Sequence, residues 1–97
     1  MYAVIGIVRI KPGHEEETAA MARERGPSLV GGMSGSKAAY WARPVDESAE
    51  VLQHSFWLFE TEADARAAET VMNSLREMPE APAEMVSTEV CEVISAM

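Results

Sequence analysis

With 97 residues, 47% of them hydrophobic, the chain can bury one modest core and is globular rather than disordered. Sixteen Asp and Glu against eight Lys and Arg give a net charge of −8, which sets nucleic-acid and anionic-membrane partners aside. Cys91 is the only cysteine, so no intramolecular disulfide and no thiolate metal cluster can form, and a reducing, cytoplasmic compartment is expected.

Residues 2–10, YAVIGIVRI, are apolar but too short to span a bilayer. No basic region precedes them and no small-residue cleavage site follows, so a strand is expected rather than a signal peptide. KPGH breaks the pattern. EEETAAMARER then reads as a helix, with Glu15, Glu16 and Glu17 early and Arg23 and Arg25 late, the order a helix dipole favours. Gly26-Pro27 kinks or ends it, and SLVGG continues it briefly. GGMSGSK is a flexible connection rather than a phosphate-binding loop, because Ser36 and Ala38 occupy positions that motif reserves for Gly and Ser/Thr. AAYWARP is a second strand ended by Pro44, VDESAE a hairpin tip, and VLQHSFWLFE a third strand. Thr61 and Asp64 have the spacing of an N-cap and its partner. The helix that follows runs through EADARAAETVMNSLREM, with Ala68, Val71, Met72, Leu75 and Met78 as its buried stripe and Pro79 as its stop. MVSTEVCEVIS is the final strand, with Cys91 expected to be buried in it.

Strand, helix, strand, strand, helix, strand is a ferredoxin-like α+β order: one domain over residues 1–97, an antiparallel βαββαβ sheet with both helices on one face. The central strands are greasy on both sides. In the third, Gln53, Ser55, Trp57 and Phe59 alternate with His54, Phe56 and Leu58; in the first, Val4, Val8 and Ile10 oppose Ala3, Ile5 and Ile7. The helices cover one side only. Leaving roughly 600 Å² of apolar sheet bare would forfeit on the order of 15 kcal/mol per subunit. A homodimer formed through the face carrying His54, Phe56 and Leu58 is therefore expected.

The stretches IVRIKPGHEEE, ARERGPSLVGGMSGSKAAYWARP and FWLFETEADARA, with the element order, cover nearly the whole chain and resemble the antibiotic biosynthesis monooxygenase family of dimeric α+β barrels. The resemblance implies a pocket between the helices and the helix-facing side of the sheet. It also implies, for several members, oxygenation of a polycyclic phenol or anthrone without metal or flavin cofactor. The heme-degrading branch uses Asn, Trp and His where this chain has Gly6, Phe59 and Ala68, so heme breakdown by that route is not expected. The anthrone-oxidising branch uses Asn, Trp, Tyr and Arg. Trp57, Trp41, Tyr40, Arg43 and Arg25 are on offer here without a position-by-position match.

Weighed singly, Trp57, Phe59, Trp41 and Ser55 either line a site for a small apolar or aromatic molecule or fill the core. Arg43 or Arg25 could steady an oxyanion, and Arg43 could equally be a solvated strand-end residue. His54 suits a general base or an interface residue; His14 is expected to be exposed. Two histidines 40 positions apart make no metal site. The resulting expectation is a cofactor-independent monooxygenase for a small aromatic or polycyclic phenol. The alternative is a non-catalytic small-molecule-binding or structural homodimer of the same fold.

Overall fold

The computed structural model describes residues 1–75, 77 and 80–97. Four strands and three helices follow in the order β1 (Tyr2–Ile10), α1 (Glu15–Glu24), α2 (Gly26–Gly31), β2 (Ser36–Ala42), β3 (Val51–Phe59), α3 (Glu62–Ser74) and β4 (Ala83–Glu92). The strands form one antiparallel sheet in the order β2-β3-β1-β4. The two greasiest strands hold the centre, as the sequence predicts.

Local chemistry accounts for the element ends. Pro12 and Gly13 occupy the middle of a turn closed by the His14 amide on the Lys11 carbonyl at 3.0 Å. Gly13 has φ +86°, a sign that a type II turn requires and glycine tolerates. Pro27 lacks an amide hydrogen, and of the two outcomes expected at Gly26-Pro27 the helix ends, so that α2 is a separate turn-and-a-half with Pro27 in its first turn. The Thr61 hydroxyl accepts the Asp64 amide at 3.1 Å and donates to the Asp64 carboxylate at 2.9 Å, capping α3 as its spacing predicts.

Some boundaries differ from the sequence reading. Strand β2 starts at Ser36, earlier than expected, and stops before Arg43. Strand β4 starts at Ala83, because pairing with β1 reaches back to Ile10. α3 ends at Ser74, so Leu75 leaves the predicted stripe and is exposed. The predicted roles of Met78 and Pro79 fall outside the described residues. Between Ile7 and Val8 the β1–β4 register shifts. This bulge lets Met85 and Val90, on opposite sides of it, pack against the same core.

That core lies between the sheet and α3. Val4, Trp57 and Phe59 meet Ala65, Ala68 and Met72, with Val30 of α2 closing one end. The predicted faces of β3 are observed: Gln53, Ser55, Trp57 and Phe59 are buried, whereas His54, Phe56 and Leu58 are only half-buried. α1 is different. Its one buried residue is the polar Thr18. It packs on α2 and touches the strands sparsely, so the sheet beneath it is not filled.

Candidate functional site

The space beneath α1 is an open cleft of about 500 Å³. Ala19, Ala22 and Arg23 of α1 form one wall, Pro27 of α2 contributes to the end, and Ala39, Trp41, Arg43 and Gln53 line the sheet side. Ala19, Ala22 and Arg23 are three and four residues apart, so one helical stripe presents all of them.

Arg43 ties α1 to the sheet across this gap. Its Nε donates to Gln53 Oε1 at 2.9 Å, and its Nη2 donates to the Glu15 carbonyl at 2.9 Å and to Thr18 Oγ1 at 2.6 Å. The Thr18 hydroxyl in turn lies 2.9 Å from the His14 carbonyl and 3.0 Å from that of Glu15. Every partner is a neutral oxygen.

Trp41 stands opposite Ser55 in the β2–β3 pairing, so its indole projects to the helix side. There it lies against Gly26. A Cβ at residue 26 would sit 2.7 Å from the Cη2 and Cζ2 atoms of the ring. Gly26→Ala is therefore expected to lower stability by about 1–3 kcal/mol and to displace the indole. A urea titration followed by tryptophan fluorescence checks both; an unchanged midpoint would mean that the ring yields without cost.

The other residues singled out in the sequence divide between three places. Trp57 and Phe59, 2% and 0% exposed, belong to the packed core rather than to the cleft wall. Ser55 is fully buried, one same-face step beyond Gln53. Ser55 Oγ and Trp57 Nε1 are buried without a hydrogen-bond partner, an arrangement that costs about 1–3 kcal/mol per group until a polar atom meets them. Arg25, between α1 and α2, is exposed and lies outside the cleft. Arg23, two residues earlier, lines it instead. The sequence reading missed Arg23 and Thr18, and the i, i+4 relation of Arg23 to Ala19 was the signal available.

The open face of the sheet holds the third group. His54 and Phe56 stack there with ring centroids 6.4 Å apart, beside Ile5, Ile7 and Leu58. Tyr40, 60% exposed, stands opposite Phe56 on β2 at this face and also borders the cleft. Arg9 bridges Glu50 at 3.1 Å and Glu84 at 3.6 Å along its margin. Cys91, opposite Ala3, is half-buried here and not enclosed as expected. His14 is partly exposed, with Nδ1 2.6 Å from Glu17 Oε2. Among the described residues, no group of three or more His, Cys, Asp or Glu side chains could hold a metal ion, and no helix is long and apolar enough to cross a membrane.

The family model for the antibiotic biosynthesis monooxygenases matches residues 1–70. The chain belongs to that family. The fold agrees: a crystal structure named as a putative monooxygenase from Shewanella loihica PV-4 superimposes with a TM-score of 0.59 at 18% identity, covering 99% of each chain. A comparison with curated proteins finds no match. Membership of the antibiotic biosynthesis monooxygenase family supports a monooxygenase-like role. It leaves the substrate to be argued from the cleft.

Proposed function

We propose that this protein is a cofactor-independent monooxygenase for a small aromatic phenol, bound in the cleft beneath α1. The observation that carries this reading is the juxtaposition of Trp41, a flat apolar surface, with Arg43, a guanidinium held in place by three hydrogen bonds to neutral oxygens. An aromatic ring stacks on the first. A phenolate oxygen is stabilised by the second, which lowers the cost of losing the phenolic proton.

For an anthrone the chemistry balances without an external reductant. The methylene carbon loses a proton, and the resulting electron-rich anion reacts with dioxygen to give a hydroperoxide. Loss of water then leaves a carbonyl: one oxygen atom enters the substrate, the other departs with the two methylene hydrogens. Among the described residues the cleft walls contain neither histidine nor carboxylate, and in this reading solvent takes the first proton. The rate is therefore expected to rise with pH until the substrate is ionised. Oxygen uptake with anthrone, abolished by heating and insensitive to chelators, is the expected result; no uptake across that pH range refutes catalysis. The absence of a base from the walls favours one second reading, a binding protein for the same molecules. It predicts thermal stabilisation by the phenol with no oxygen consumed.

We also assign the open sheet face, with His54, Phe56 and Leu58, as a homodimer interface, because a contiguous apolar face on a central strand calls for a second apolar face.

A further inference from the structure

The cleft wall has the opposite charge to the molecule. The chain carries a net −8, yet the ionic side chains bordering the cleft are Arg23 and Arg43, with no Asp or Glu among them. Neither arginine has a carboxylate partner among the described residues. Elsewhere on the molecule, ion pairs engage Arg9, His14, Lys37 and Arg66, among others. Arg43 is half-buried, where a guanidinium without a counter-ion is unfavourable. Its Nε and Nη2 are committed to Gln53, Glu15 and Thr18, and Nη1 has no partner among the described residues. The plane of the group is thereby fixed with one edge unused. A fixed guanidinium edge is suited to a carboxylate oxygen.

We infer that the cleft selects planar aromatic acids, with the ring on Trp41 and the alanines and the carboxylate between Arg43 and Arg23. This rests on the cleft being the substrate site and narrows the substrate from phenols in general to those that also carry a permanent negative charge. The acid-rich remainder of the surface repels such molecules, so the cleft is the patch where they are attracted.

The test is isothermal titration of the intact protein with 2-naphthoate and with 2-naphthamide, its uncharged counterpart. Naphthoate is expected to bind roughly tenfold tighter or more, the margin expected of charge-assisted hydrogen bonds, and the gap should shrink as salt is added. Arg23→Gln should weaken naphthoate and leave naphthamide unchanged, and Arg43→Gln should weaken naphthoate by more than it weakens naphthamide. Arg23 is exposed, so its variant keeps the test valid if loss of the Arg43 bonds loosens α1. Equal affinity for acid and amide would overturn charge selection while leaving an aromatic site in the cleft. Failure of both to bind at millimolar concentration would overturn the cleft as the site as well.

Discussion

Phe56→Asp is expected to break the proposed homodimer into single copies and to lower the stability of the fold. Phe56 lies mid-strand on β3, paired with Ile5 on one side and Tyr40 on the other, and stacked on His54. In a two-fold interface each such residue is removed twice. Losing the burial of two phenyl groups costs about 3–6 kcal/mol, and enclosing two carboxylates adds several more. A total above about 5 kcal/mol raises the dissociation constant by more than three decades. Sedimentation velocity at micromolar concentration should therefore find the wild type as two copies and the variant as one. A wild type that sediments as a folded single chain would refute the interface.

The second large effect is expected in the core. Trp57→Ala should destabilise by about 3–5 kcal/mol, because Val4, Ala68 and Met72 are held in the same enclosed cluster and cannot close the gap. Trp57→Phe separates volume from chemistry. It keeps an aromatic ring and deletes the unpartnered indole N–H, so its cost should be far smaller than that of alanine. Urea unfolding gives both values. If Trp57→Phe also slows oxygen uptake or weakens ligand while stability is kept, the indole N–H serves the substrate; if neither changes, Trp57 is a packing residue alone.

What could be read from the sequence follows from where the patterns are local. Alternation with period two assigned Gln53, Ser55, Trp57 and Phe59 to one face of β3 and His54, Phe56 and Leu58 to the other. The Thr61–Asp64 cap and the Gly26-Pro27 break are contacts between near neighbours, and both are present. The cleft was less legible. Its existence depends on α1 standing off the sheet, and α1 has alanines where a strong apolar stripe would have fixed its rotation. Without that stripe, Arg23 and Arg25 could not be distinguished as wall and surface. Arg43 was marked as a candidate, but its partner Thr18 lies 25 residues earlier and no spacing rule connects them. Leu75 fitted the helical period, yet the period says nothing of where α3 stops.

The bulge opposite Ile7 has a consequence for how the molecule meets its own copies. A straight outer rim on β4 would offer a regular row of amides and carbonyls on which another strand could add, and then another, without end. Here the row is interrupted, and Glu84, Glu89 and Glu92 set negative charge along the same rim. Edge-to-edge growth into fibres is thus discouraged, which leaves the flat of the sheet as the face for the proposed pairing of two copies.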